Sequence, residues 1–392
     1  MLAIALTLPA AAQQPAAAQL PVATFTAPDG SRFVLIADPG VPQVHWAIAS
    51  WIDGSDDPPG LEGLARAAIH AAQGGTWLTG SRDAERERRA LDERDGLLAQ
   101  LRGSPDDGPL RQQAATLDDR CRQLFDPTVF PRVLAAAPGH RLELHERGPV
   151  AVLAVTTIAA AIGEVGRLLV ERREQQPLRG VDAEWSRLTT ARAKALTADP
   201  HRALHAEVLA LTMPGHALAR GLQLPGGGSP TRSQALAAWA ASQRPERTVH
   251  VLLGDFDAAS AEATLRATFA VTSLPPRTAA PQPPPQPLAG VRHSIVPGTP
   301  RPAVAIGWVL PATVDANVLA TAMAWLGDGD DSALARELQR AGRTDCRIRC
   351  RAPWPAGEDR GLFLVTVEAE RDEGLAGLVQ RAVRAATATP PD

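Results

Sequence analysis

The fold is decided by residues 44–72, VHWAIASWIDGSDDPPGLEGLARAAIHAA. Their first part, 44–51, is apolar with aromatic and β-branched side chains, which indicates a buried strand. Residues 54–60 collect glycine, aspartate and proline, which predicts a loop. Residues 61–72 are apolar and rich in alanine, which predicts a buried helix. A strand that leads through a loop into a buried helix is typical of α/β and α+β domains.

The rest of the first half contains the same kinds of element. Residues 24–36 predict a hairpin around an Asp29-Gly30 turn. Residues 83–125 are densely charged and then apolar at spacings of four and three, which predicts an inserted pair of antiparallel amphipathic helices. We also expect strands at 130–134, 141–145, 150–155 and 248–253, and helices at 159–172, 181–196, 202–211 and 258–269.

A proline-rich segment divides the chain. Residues 274–290 carry seven prolines among small and polar residues, which predicts a semi-extended linker. The pattern then starts again, with strands at 303–310, 346–351 and 362–368 and helices at 318–325, 332–341 and 375–386. The repeated order predicts an internal duplication.

The predicted fold class is therefore α+β, with tandem homologous domains, each an antiparallel sheet with helices packed on one face. The predicted domains are residues 24–273, with the helical-hairpin insert 83–125, and residues 291–392. The second copy ends before the closing helices of the first, so we expect it to be truncated.

Composition narrows the possible partners and locations. The net charge is only -3, tyrosine is absent and aromatic residues make up 4% of the chain, so neither a basic face nor a base-stacking surface for nucleic acid is expected. Residues 1–23 begin with a short apolar run and a small-residue site, which predicts a signal or leader segment and a periplasmic or secreted protein. No segment reaches the roughly 20 apolar residues of a membrane span.

Several short motifs, in a fixed order, resemble the insulinase/pitrilysin zinc peptidases, the inverzincins. They are Asp29-Gly30, Gly54-Ser55, GLARAAIH at 63–70, Gly75-Thr76, Asp199-Pro200, MPGH at 213–216 and LGDFD at 253–257. In that family a Gly-Leu-Ala segment leads into the zinc motif H-x-x-E-H. The resemblance implies a peptidase fold whose halves enclose an extended peptide.

The same resemblance indicates that the zinc site is degenerate. It places Arg66 at the first histidine, Ile69 at the catalytic glutamate and His70 at the second histidine, and it places the glutamates of a later helix at Glu184 and Ala191. An arginine has no lone pair and repels a dication, and an isoleucine cannot accept a proton from water. Because zinc sites use three or four protein ligands, we predict that zinc and catalysis are lost and expect no cofactor. His70 then has an alternative structural role, as a histidine hydrogen-bonded in or near the core.

Two further sets of positions are candidates for function. The resemblance places the pair that grips a substrate peptide at Gln339 and Cys346, where the expected arginine and tyrosine are not retained. His201 and His205 are four residues apart on a predicted helix, a spacing compatible with zinc, although no glutamate base lies between them. His70, His201 and His205 are thus the candidate metal ligands.

Three functional hypotheses follow. The leading one is a catalytically inactive metallopeptidase homologue that acts as a scaffold or pairing subunit of an active insulinase-family peptidase. The first alternative is a zinc-dependent metalloendopeptidase with non-standard ligands. The second is a stand-alone module that binds extended peptides.

Overall fold

The computed structural model describes thirteen stretches of the chain, residues 20–52, 57–104, 106–136, 141–147, 150–214, 216, 219, 228–270, 296, 301–311, 314–327, 331–354 and 361–388. We call residues 20–270 the first half and residues 301–388 the second half. Each half contains one β-sheet, and mixed helices and sheets confirm the α+β class.

The first half is built on a six-stranded sheet with the order β1-β2-β6-β3-β5-β4. Its strands are β1 (Val22–Thr26), β2 (Arg32–Ala37), β3 (Val44–Trp51), β4 (Arg141–Arg147), β5 (Val150–Thr157) and β6 (Thr248–Gly254). The pairs are antiparallel except for β2 and β6, which run parallel. The prediction of a purely antiparallel sheet was therefore wrong at this pair. Strand β6 follows a long run of helices, which provides the crossover that parallel pairing requires.

The helices of the first half are α1 (Leu64–Ala71), α2 (Ala84–Gly103), α3 (Gly108–Gln123), α4 (Val129–Ala136), α5 (Ile162–Glu174), α6 (Val181–Ala198), α7 (Pro200–Thr212), α8 (Arg232–Ser242) and α9 (Ala258–Thr268). Those that pack on this sheet lie on one of its faces, whereas α7 packs on the second half. Alternation along β3 buries Trp46 and Ile48 under these helices and leaves Ala47 and Ala49 half-buried on the other face.

The second half has a three-stranded antiparallel sheet with the order β7-β9-β8. Its elements are β7 (Ala303–Val309), α10 (Ala316–Gly327), α11 (Ala333–Arg340), β8 (Arg347–Trp354), β9 (Leu362–Glu368) and α12 (Leu375–Ala388). Phe363 and Val365 of β9 pack against α10, α11 and α12. The opposite face of β9, at Leu362 and Leu364, packs on Leu209 of α7. This second layer, supplied by the first half, was not part of the predicted architecture of helices on one face.

Two local predictions were also wrong or incomplete. Residues 130–134, expected as a strand, lie in α4, where Phe130 and Leu134 are both buried on one helical face. A short apolar run is compatible with either element, and here the spacing of four fits the helix. Helix α8 was missed, although Thr231 and Gln234 form a capping box at its start that is visible in the sequence.

The LGDFD segment has a structural task that explains its residues. Gly254 has a φ of 152°, and a Cβ there would lie 2.1 Å from the carbonyl oxygen of Gln43. Phe256 is buried in the core, and the carboxylate of Asp257 accepts a 2.8 Å hydrogen bond from the Ser260 amide and caps α9. The segment therefore fixes the close approach of β3 and β6 and starts the next helix.

The helical insert is attached to the body by ion pairs. Arg94 of α2 pairs with Asp118 of α3 and, at 2.5 Å, with Asp182 of α6. Arg232 of α8 pairs with Asp95 of α2 at 2.7 Å. The charged pattern that predicted this hairpin is thus partly a docking surface. None of the described helices is long and apolar enough to cross a bilayer.

Because His205 is buried where the halves meet, stability should depend on pH. Its Nε2 atom lies 2.9 Å from Thr366 Oγ1 of β9. Burial, together with the charges of Arg351 and His201, lowers the pKa of His205 from 6.5 to about 4. As the pH falls from 6.5 towards 4, the unfolded chain gains a proton that the folded chain does not bind, so the free energy of unfolding falls, by at most about 1.4 kcal/mol per pH unit.

His205→Gln keeps a hydrogen-bonding group beside Thr366 but removes this titration. We expect urea unfolding of this variant to depend less steeply on pH over that range than unfolding of the unchanged chain. His145→Gln, at an exposed histidine of β4, is the matched control and should keep the original slope. Equal slopes for all three proteins would contradict the assignment.

Candidate functional site

Helix α1 presents Arg66 and His70 on one face. Asp57 starts the helix, since its carboxylate accepts hydrogen bonds from the amides of Gly63 at 2.8 Å and Ala65 at 2.9 Å. The apolar side of the helix is buried in a cluster that includes Leu64. Residues at i and i+4 share a helical face, so the side chains of Arg66 and His70 lie together at the opposite, half-buried side.

A glutamate from β4 occupies the space between these two side chains. Oε1 of Glu146 lies 3.0 Å from Nε of Arg66 and 3.3 Å from Nε2 of His70. The second contact does not meet the geometric criteria for a hydrogen bond, and it is an ion pair only when the imidazole is protonated. Burial raises the pKa of Glu146, but contact with His70 and the charges of Arg66, His70 and Arg187 outweigh it, and the net pKa is lowered. The carboxylate is therefore ionised at neutral pH.

Ile69 points away from this ion-pair cluster. Its side chain is 3% exposed and lines a small cavity between α1, the first sheet and α5. An isoleucine has no lone pair, so this position offers no base for activating water.

Helix α6 borders the cluster with further positive charge. Glu184, Arg187 and Ala191 recur at spacings of three and four, so they share a face. Glu184 accepts a 2.8 Å hydrogen bond from Arg187, and Ala191 is exposed and has no donor atom. Arg192 donates at 3.0 Å to the backbone oxygen of Glu62. The placement of the family's glutamates at Glu184 and Ala191 stays a prediction.

These donors do not fit a zinc ion. His70 and Glu146 could each supply one ligand, but the remaining corner is filled by the cationic Arg66, which would repel the metal. In the described ranges, no group of three His, Cys, Asp or Glu side chains is arranged to hold a metal. The arrangement is instead a small ion-pair cluster in which one carboxylate neutralises Arg66 and lies beside His70.

Glu146 is the residue of this cluster that sequence reasoning missed. In β4, Leu142 and Leu144 alternate with polar residues and pack towards the cores, and Glu146 continues their side of the strand. A charged residue at an apolar position of a strand is the signal that could have identified it. Its partners on α1 are distant in the sequence, so the pairing itself was not visible.

His201 and His205 lie on α7 but form part of the contact between the halves. The Nε2 atom of His201 lies 3.9 Å from Oε1 of Glu368, which also contacts Arg349 at 3.6 Å. The Nε2 atom of His205 is engaged with Thr366. The two imidazoles therefore contact separate groups of β9, and a shared metal is not what their surroundings favour.

The predicted peptide-gripping positions lie at the end of α11 and before β8. Gln339 is exposed near the end of the helix, and Cys346 is half-buried, with its thiol pKa raised by burial. Arg343, a possible substitute for the missing arginine, is buried and bonded to Asp345 at 2.7 Å and to the Arg371 carbonyl at 2.7 Å. Arg347 is exposed at the start of β8.

Comparison with known proteins identifies the fold. Residues 231–383 match the family described as "Peptidase M16 inactive domain", where M16 denotes the insulinase/pitrilysin peptidases. No curated protein matches the chain significantly. The match begins at the cap of α8 and includes the LGDFD segment and most of the second half.

Solved structures extend the likeness to the whole chain. A peptidase M16 inactive domain from Pseudomonas fluorescens is 15% identical with a TM-score of 0.60, over 95% of this chain and 81% of that one. A protease from Helicobacter pylori is 14% identical with a TM-score of 0.54, over 93% of this chain and 79% of that one. The periplasmic protease PqqL from Escherichia coli is 15% identical with a TM-score of 0.57, over 100% of this chain and 39% of that one. At this identity the likeness shows the fold, and together with the family match it confirms the predicted resemblance.

The geometry predicts that one substitution creates a metal site. Arg66→His would place an imidazole four residues before His70, with Glu146 in reach of both positions. We expect zinc to bind at least about tenfold more tightly than to the unchanged chain, or by about 1.4 kcal/mol. Competition with a chromogenic chelator measures this change.

Two controls separate ligation from loss of charge. Arg66→Gln removes the cation without adding a ligand, and Arg66→His combined with Glu146→Gln removes the carboxylate, so neither should gain the affinity. A gain in the Arg66→Gln variant, or none in the Arg66→His variant, would contradict the geometry. No peptide hydrolysis is expected from the single variant, since Ile69 provides no base.

Proposed function

We propose that this chain, which has the M16 peptidase fold and an M16 inactive domain at residues 231–383, is a non-catalytic scaffold or pairing subunit for an active homologue. The observation that carries the proposal is the contact of Glu146 with Arg66 and His70. On this proposal, the ion pair between α1 and β4 lies where the family resemblance implies a zinc ion. A protein can keep this architecture without metal because the ion pair itself joins α1 to β4.

The residues that frame the degenerate motif support a scaffold role. Asp57 caps α1, and Gly63 precedes that helix with a φ of 100°. Gly75 has a φ of 104°, and a Cβ there would approach the Thr79 carbonyl oxygen to 2.6 Å. These positions retain the residue types that the local backbone requires, whereas Arg66 and Ile69 lack the groups that the chemistry requires. The chain thus keeps the architecture and not the ligands.

Strand edges without a neighbour among the described residues, together with exposed apolar side chains, provide surfaces for a partner. Strands β7 and β8 form the two edges of the second sheet. Trp308 of β7 is 38% exposed and Val318 of α10 is 60% exposed. Exposed apolar groups beside an open strand edge favour association with another chain.

Export is part of the proposal. Residues 1–23 carry the predicted leader, and one similar structure, PqqL, is described as a periplasmic protease. A periplasmic or secreted subunit would meet its active homologue after export. We also propose the two-domain division at residues 274–290, with domains at 24–273 and 291–392.

The pairing proposal is tested with a homologue from the same genome that has an unbroken H-x-x-E-H motif. We expect the two co-expressed chains to form a stoichiometric complex in size-exclusion chromatography with light scattering. The homologue should cleave unfolded peptides faster in the complex than alone. A full-length chain that stays separate from every such homologue would contradict the pairing role.

Metal analysis tests the loss of catalysis independently. We expect the purified chain to hold far less than one zinc per molecule after dialysis against zinc-containing buffer, because one imidazole and one carboxylate are too few ligands. Near-stoichiometric zinc together with peptide hydrolysis that His70→Ala abolishes would support the alternative of a metalloendopeptidase with non-standard ligands.

A second candidate function is binding of extended peptides. The free edge of β8 carries Arg347, Arg349 and Arg351, exposed at alternate positions and therefore on one side of the strand. An added peptide strand could pair with this edge and place acidic side chains beside the arginines. Affinity of the isolated chain for acidic peptides, without any partner protein, would distinguish this function from pairing.

A further inference from the structure

A buried arginine of α5 has no counter-charge among the residues that the structure describes. Arg172 is 5% exposed, and its guanidinium lies 4.9 Å above the ring of Trp239. Its Nε and Nη2 atoms are buried and have no hydrogen-bond acceptor within the described parts of the chain. Burial of an unpaired charge is costly, so such a group calls for a partner.

Loss of the proton does not remove this requirement. Burial lowers the pKa of Arg172 to about 10, which still leaves the guanidinium charged at neutral pH. The Trp239 ring offers a cation–π contact but no hydrogen-bond acceptor in the plane of the guanidinium.

The neighbouring arginine shows how the same helix satisfies a buried cation. Arg173 pairs with the fully buried carboxylate of Asp29 at 2.6 Å and with Glu174 at 3.0 Å. These two carboxylates are therefore engaged by Arg173. The unmatched charge belongs to Arg172.

Arg172 lines a cavity whose polar groups are mostly donors. The cavity has a volume of about 30 Å³ and is lined by apolar side chains together with Ser50, Arg172, Arg173, Gln243 and His250. No carboxylate is among its described lining residues. This volume is more than one water molecule needs, so the cavity has room for a small anion such as chloride.

His250 contributes a donor to this cavity. Nε1 of Trp46 donates a 3.2 Å hydrogen bond to Nδ1 of His250. Burial and the charge of Arg173 lower the pKa of His250 to about 3, so the ring is neutral and its proton lies on Nε2. The cavity therefore combines an unmatched cation with serine and imidazole donors.

We propose that this cavity, between the first sheet and helices α1, α5 and α8, is a binding site for a small monovalent anion of the size of chloride. Arg172 supplies the charge that the anion neutralises. Ile69 of α1 lines the same cavity, so the anion also supports the helix that carries Arg66 and His70. The site is separate from the Glu146 ion-pair cluster and does not depend on the proposed pairing role.

The test measures unfolding of the full chain while chloride replaces gluconate at constant ionic strength. Gluconate is too large for the cavity, so only chloride can stabilise the folded state through this site. We expect the unfolding equilibrium constant to fall about tenfold when chloride reaches ten times its dissociation constant. Arg172→Met should abolish this dependence.

A matched variant and a direct measurement complete the test. Arg167→Met changes an exposed arginine on the same helix and should keep the chloride dependence. Crystals soaked in bromide should show an anomalous peak beside Arg172. If the Arg172→Met variant does not fold, the proposal is tested by the chloride titration of the unchanged chain and by the position of the bromide peak.

Two results would overturn the proposal. One is an unfolding equilibrium of the unchanged chain that is the same in chloride and in gluconate. The other is bromide found at surface positions and not in the cavity, which would mean an adventitious ion only.

Discussion

A guanidinium group that leaves water must find a carboxylate or another acceptor, and this constraint organises much of the first half. The guanidinium of Arg173 forms an ion pair with Asp29, and that of Arg179 pairs with Glu87. The guanidinium of Arg94 pairs with both Asp118 and Asp182. These pairs attach the helical insert to α6 and join the sheet to α5. The same requirement places Glu146 beside Arg66 and leaves Arg172 facing a cavity without a carboxylate.

The same constraint explains why the positions that the resemblance aligns with a zinc motif form an ordered site. Once arginine occupies position 66, a metal ion and the guanidinium compete for the same negative charge, and the guanidinium is covalently fixed there. Glu146 is therefore a counter-ion for Arg66 and His70. Its lowered pKa reflects the two basic groups next to it and the charge of Arg187.

Much of the fold was predictable because it depends on local patterns. Short apolar runs predicted β3, β5 and β6, and helical spacing predicted the insert at 83–125, since both signals depend on neighbouring residues in the chain. The parallel pairing of β2 and β6 and the packing of α7 on β9 involve distant residues, and no local pattern encodes them. The same limit applies to the site. The sequence identified Arg66, Ile69 and His70 on one helix, but not the contact of Arg66 and His70 with Glu146.

The histidine pair on α7 shows why spacing alone is a weak indicator of a metal site. His201 and His205 have the i, i+4 spacing of zinc ligands, yet a helix that packs on a sheet also repeats its contacts at that interval. His205 meets Thr366, and His201 approaches Glu368, so the spacing matches alternate residues on one face of β9. Both are better explained as contacts that hold the halves together. The contact between the halves therefore belongs to the architecture of the fold, whatever the chemistry of the chain.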